Sequence, residues 1–164
     1  GRVVNVTSAS GPIYLAGSSE EVKKLLTNPD VSWSEIEEFM AECLKLNLKS
    51  ERTVDQGSGI GFAYAISKAC TNAYSIYLAR ENPKLTINAC TPGFIETDLT
   101  RPMADANCKT PAEMGMKSPE EGASASVFLL MGKPSGSGHY YGSDCVRSPL
   151  DRYRSPGDPP FTGE

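Results

Sequence analysis

No stretch of this 164-residue sequence is long and apolar enough to cross a bilayer, so nothing supports a membrane-spanning role. Histidine is nearly absent. The lone His139 excludes a multi-histidine metal site, and its Gly-rich surroundings beside Tyr140 and Tyr141 read as a strand end. The five cysteines (Cys43, Cys70, Cys90, Cys108 and Cys145) contain no C-x-x-C pair. They suit reduced thiols in a cytoplasmic protein better than a zinc site or a disulfide framework. Neither sign of charge dominates, and the net charge of -4 argues against nucleic acid or an anionic membrane as the partner. There is also no initiator Met. The chain opens on Gly1-Arg2-Val3-Val4-Asn5-Val6, which reads as a buried strand already in progress and leads us to expect a truncated domain.

What is present alternates between strand and helix. Val3 to Val6 is the first expected strand, followed by the small polar turn Thr7-Ser8-Ala9-Ser10-Gly11-Pro12. Ser18 or Ser19 caps a short helix that Asn28-Pro29 stops. Ser32-Trp33-Ser34-Glu35 is a capping box, and Ile36, Phe39, Met40, Cys43 and Leu44 recur at helical spacing as a packing stripe. Residues 53–61 form a Gly/Ser loop. Its Gly57-x-Gly59 spacing follows polar residues rather than a buried strand, which argues against a phosphate loop.

A helix is expected from about Phe62 to Arg80, a second strand over Leu85 to Cys90, and then a loop through Pro102 and Pro111. Ser118, Pro119 and Glu121 start a further helix whose Val127, Phe128, Leu130 and Met131 are expected to be buried. Gly138 to Gly142 is a weak third strand. From Ser148 onward proline, glycine and charge dominate, so residues 148–164 are expected to be disordered. The alternation predicts an α/β domain with a parallel sheet, whose function sits at the carboxyl ends of its strands.

Tyr64-Ala65-Ile66-Ser67-Lys68 sets a phenol and an ammonium one turn apart on one helix face. An ammonium stabilises the phenolate left by a departing proton, so the pair suits proton transfer. Alone, Tyr-x-x-x-Lys is weak, because a chain of this composition can contain one by chance. Here it stands between Gly1-Arg2-Val3-Val4-Asn5-Val6-Thr7-Ser8 upstream and Asn88-Ala89-Cys90-Thr91-Pro92-Gly93 downstream.

Taken in order, these three segments resemble the short-chain dehydrogenase/reductase family. The long spacing between Ser8 and Tyr64 is similar to that of the monomeric NADPH-dependent carbonyl reductases, as are Thr91 to Asp98 and Lys117 to Ala123. The resemblance implies the C-terminal part of one doubly wound, Rossmann-like domain over residues 1–147, with a helical insertion at about residues 12–60. It implies reduction of a ketone, aldehyde or quinone carbonyl with NADP as cofactor, NAD being the alternative. A cytoplasmic monomer is expected, acting on a small carbonyl substrate.

Carried over residue by residue, Tyr64 protonates the carbonyl oxygen, and Lys68 assists it and meets the nicotinamide ribose. Ser8 polarises the substrate oxygen, with Ser10 as its rival. Pro92 and Gly93 turn beneath the nicotinamide, the Ile95 backbone reads its carboxamide, and Thr97 reaches its phosphate. Phe94 is a candidate wall of the substrate pocket. The family's Gly-rich fingerprint and its Asn-Asn-Ala-Gly segment are not in this sequence. The chain alone is therefore expected to be unstable and inactive, and the alternative reading is a non-catalytic fragment or interaction module.

Overall fold

The computed structural model describes residues 1–47 and 61–163. The expected Gly/Ser loop at residues 53–61, apart from Gly61, lies outside them, as does the end of the expected insertion. Ten elements follow in order. Strand β1 (Arg2–Val6) leads into four helices: α1 (Ser10–Ala16), α2 (Glu20–Thr27), α3 (Trp33–Asn47) and α4 (Phe62–Glu81). Then come β2 (Thr86–Cys90), α5 (Arg101–Ala106), α6 (Pro119–Met131), β3 (Tyr140–Tyr141) and β4 (Arg147–Ser148).

The sheet order is β1-β2-β3-β4. β1 and β2 run parallel, Val4 opposite Asn88 and Val6 opposite Cys90, and β2 and β3 are also parallel. The last pair, β3 and β4, is antiparallel and was not expected. A two-residue strand surrounded by Asp, Arg and Pro gives no alternating pattern to read.

Each face of the sheet carries its own core. On one side Leu15, Leu26, Val31, Ile36, Ile66, Ala69, Cys70 and Ala73 bury together, joining α1, α2, α3 and α4. On the other, Cys90, Ala125, Leu129 and Tyr141 pack with Val4 and Phe128 beneath α6. The alternation of strand side chains produces this division. Asn5 turns toward α4, donating to Ser75 Oγ at 2.8 Å. Arg2 points the other way and donates to the carbonyls of Leu129 and Gly132 at the end of α6, where a cation is favoured.

Helix starts follow their caps. Ser19 Oγ accepts from Val22, and Ser32 with Glu35 and Ser118 with Glu121 form reciprocal capping boxes. On α6 the expected buried face is wrong in part: Val127, Leu130 and Met131 are exposed, and Gly122, Ala125 and Leu129 are buried. The C-terminal half of α6, Val127 to Met131, is uniformly apolar and has no polar residue to mark its outer side.

The C-terminal residues also differ from expectation. Residues 148–163 fold back onto the domain instead of lying disordered. Ser148 is buried in β4, the Phe161 amide donates to the Arg147 carbonyl at 3.1 Å, and Arg154 reaches Asp144. Composition flags Pro- and Gly-rich tails as disordered, but it is blind to individual ion pairs that tether them.

Candidate active site

The carboxyl ends of β1 and β2 lie side by side. The Thr7 amide donates to the Cys90 carbonyl at 2.7 Å, and Thr7 Oγ1 reaches the same oxygen at 3.2 Å. Ser8 therefore leaves the sheet next to Thr91, Pro92 and Gly93. Its hydroxyl is half-buried, lies 2.9 Å from Ser10 Oγ and accepts from the Ser10 amide at 3.2 Å. If Ser10 donates in the hydroxyl pair, both acceptances fall on Ser8 Oγ and its own proton stays available for a ligand. Ser10 is itself only 5% exposed, at the start of α1, which favours Ser8 over its rival.

Helix α1 was not foreseen, because Ser-Gly-Pro reads as a turn. It matters to the site. A Cβ on Gly11 would lie 3.0 Å from the Ala69 amide nitrogen and 3.1 Å from the Lys68 carbonyl carbon. Backbone thus meets backbone, and α1 sits tightly against the helix that carries Tyr64 and Lys68. Tyr14 adds an edge-on contact to Phe62, 5.4 Å between ring centres.

Tyr64 occupies the first turn of α4 and is 37% exposed; Lys68 is half-buried one turn later. The Lys68 ammonium lies 5.2 Å from the centre of the Tyr64 ring, within cation-π range. None of the ion pairs among the described residues involves Lys68. No hydrogen bond links the Tyr64 hydroxyl to Ser8. The two are related through the α1 contact.

Beyond β2, Gly93 takes φ +91°, a conformation that disfavours any side chain, and its amide donates to Thr91 Oγ1 at 3.1 Å. The next residues are clamped as a short parallel bridge: Lys117 donates to the Phe94 carbonyl and Glu96 to the Lys117 carbonyl, both at 2.9 Å. Ile95 is buried against Gly122, where a Cβ would come within 2.7 Å of Ile95 Cγ1. Thr97 is exposed, and its amide and hydroxyl both turn to Thr100 Oγ1, at 2.9 and 3.2 Å. Phe94 is half-buried.

Sequence reasoning missed the contribution of the C-terminal segment. Tyr153, Arg154 and Pro156 meet Ala9, Pro12 and Gly93 around a cavity of about 30 Å³, far too small for an organic substrate. The anchor is Asp144, whose carboxylate takes Arg154 Nη2 at 2.7 Å, Arg154 Nη1 at 3.1 Å and the Gly157 amide at 3.1 Å. Burial alone would raise its pKa, but the Arg154 hydrogen bonds and the Gly157 amide outweigh that and hold it below the usual carboxylate value.

No family model matches the chain. Over 133 residues it is 34% identical to a (+)-neomenthol dehydrogenase of Arabidopsis thaliana, covering 79% of this chain and 40% of that protein. A salutaridine reductase of Papaver somniferum is 30% identical over 146 residues, covering 88% of this chain and 42% of the relative. The human carbonyl reductase [NADPH] 1 is 29% identical over 145 residues, with 84% and 47% covered. The solved structure of the Papaver somniferum salutaridine reductase superposes with a TM-score of 0.58 at 29% identity, over 85% of this chain and 44% of that one. The chain spans less than half the length of these curated relatives.

Proposed function

The chain belongs to the short-chain dehydrogenase/reductase family, and from that premise we propose that the complete protein reduces ketone, aldehyde or quinone carbonyls with NADPH. The observation that carries this reading is the Tyr64–Lys68 pair, pinned by the Gly11 contact next to the loop that bears Ser8. The name of the carbonyl reductase relative supports NADPH over NADH.

A reduced nicotinamide cofactor would supply the hydride. The residues present suit its nicotinamide end. Gly93, with its positive φ, removes any side chain from the turn after β2, and among the described residues Lys68 makes no ion pair that would keep it from a ribose hydroxyl. The Ile95 backbone and Thr97 hydroxyl would extend the same contact surface.

The chain's own groups handle the proton. Ser8 donates a hydrogen bond to the substrate oxygen and steadies its developing negative charge. Tyr64 passes its hydroxyl proton to that oxygen, giving the alcohol and a phenolate. The Lys68 ammonium, already over the ring, offsets the phenolate charge until a proton returns. Phe94 would form an apolar wall. We read the complete protein as a cytoplasmic monomer.

One observation favours a second reading, in which the chain is a non-catalytic module that docks on a partner. The outer edge of β1 pairs with no strand among the described residues, and Val3 and Val6 are exposed along it. The deciding experiment is cofactor oxidation by the complete protein with NADPH and a panel of carbonyl compounds. Turnover that disappears in Tyr64→Phe while cofactor affinity is kept supports the reductase. Absence of turnover and of cofactor binding supports the module. The chain by itself is expected to be inactive.

A further inference from the structure

A second concavity lies at the other end of the sheet. It has a volume of about 640 Å³ and is lined by the cations Arg80, Arg147 and Arg152, by His139, and by one carboxylate, Asp151. Arg80 sits in the last turn of α4, sixteen residues beyond Tyr64, roughly 24 Å along the helix. His139 precedes β3, and Arg147 begins β4. The cleft is thus on the β3–β4 side, away from the open edge of β1, and separate from the site above.

Its charges are arranged rather than scattered. Arg147 and Arg152 both stand over the Phe161 ring, 5.5 and 5.4 Å from its centre, which brings the two guanidinium groups to one lining residue of the cleft. Arg80 is held by the Pro29 carbonyl at 3.0 Å and by the Tyr77 ring at 5.6 Å. Arg80 pairs with Glu81 and Arg152 with Asp151, but none of the ion pairs among the described residues involves Arg147. Pro29, Ile76, Ala79 and Leu150 supply apolar lining between these cations.

We infer that this cleft binds a small organic anion, a phosphate ester or carboxylate with an apolar body, through Arg147 and Arg152. Guanidinium groups match the geometry of both oxyanions, and the volume suits a single small molecule. A long polyanion does not fit, because the chain as a whole carries a net charge of -4 and would repel it beyond the cleft.

His139 lines the cleft, so the Hε1 and Hδ2 resonances of its ring report on what binds there. The test is a titration of the complete protein with phenyl phosphate, followed by the His139 ring resonances, which are assigned by their loss in His139→Gln. A saturable shift is expected, with phenol and inorganic phosphate each at least tenfold weaker because each supplies half of the recognition. Arg147→Gln should weaken binding about tenfold, and Arg147→Lys less. Should Arg147→Gln unfold, Arg152→Gln, at an exposed position, carries the same expectation. Absence of a saturable shift, equal affinity for phenol, or unchanged affinity in the glutamine variants would overturn the inference.

Discussion

Gly11 and Ala69 meet backbone to backbone: a Cβ on the glycine would stand 3.0 Å from the Ala69 amide nitrogen, and 3.0 Å from Asn72 Nδ2 as well. Two helices far apart in sequence are joined at a point where neither can yield a side chain's width. Gly11→Val should therefore push α1 away from α4 and destabilise the chain by about 1–3 kcal/mol, the usual cost of overpacking. In the complete protein it should also lower kcat by displacing the Ser8 loop from the Tyr64 helix. Denaturant midpoints and steady-state rates check both. Native stability in the variant would show that α1 is not tightly seated.

How much of this was legible in the sequence depends on what encodes each feature. Capped, periodic helices were readable because Ser19, Ser32 and Ser118 announce their starts, and the β-branched run of β1 and the β2 segment announce strands. Ser8, Tyr64, Lys68 and Gly93 became candidates through the family resemblance of the segments that carry them, and the fold sets Ser8 and Gly93 at neighbouring strand ends with Tyr64 and Lys68 on α4. The Gly11–Ala69 contact was not legible: close approach between distant helices leaves only a glycine, which also signals a turn. The Asp144–Arg154 tether was hidden for a similar reason, since a pairing ten residues apart in a Pro- and Gly-rich tail has no periodicity.

Ser8 and Ser10 can be separated by activity in the complete protein. Ser8→Ala removes the half-buried hydroxyl proposed to meet the substrate oxygen, and should lower kcat by about 10²–10³, as for loss of one oxyanion donor. Ser10→Ala removes a buried partner of that hydroxyl and should cost far less in kcat and more in stability. The reverse ranking would make Ser10 the donor.

Asp144 and Arg154 tether the C-terminal segment, the Arg154 side chain being only 5% exposed. Arg154→Met should cost roughly 1.5–3 kcal/mol, the range for hydrogen bonds to charged groups, and should open residues 149–163 to limited proteolysis. Because the folded pKa of Asp144 is depressed, its contribution is present above the ordinary aspartate pKa and lost as pH falls through the lower folded value. Acid should therefore release the segment in the native chain, whereas Asp144→Asn should have lost the tether at neutral pH. Identical proteolysis of variant and native chain would refute the tether.

His139 sets the behaviour at milder acidity. Burial lowers its pKa below the ordinary 6.5, and Arg147 adds to that effect. The hydrogen bond between Nδ1 and the Ser135 carbonyl, 2.6 Å long, works in the opposite direction without winning. The folded chain therefore holds a neutral imidazole where the unfolded chain would bind a proton. Stability should be fully present above about pH 6.5, and should fall as pH drops from there through the folded pKa. Arg80, Arg152 and Asp151 are the other charged groups lining the same cleft, the last two paired with each other. Urea midpoints at several values between pH 7.5 and 5 should decline for the complete native protein. They should stay flatter for His139→Gln, which cannot titrate and has no proton to take up on unfolding. Equal slopes in the two proteins would mean that His139 protonates as freely folded as unfolded, and that the cleft does not exclude its charge.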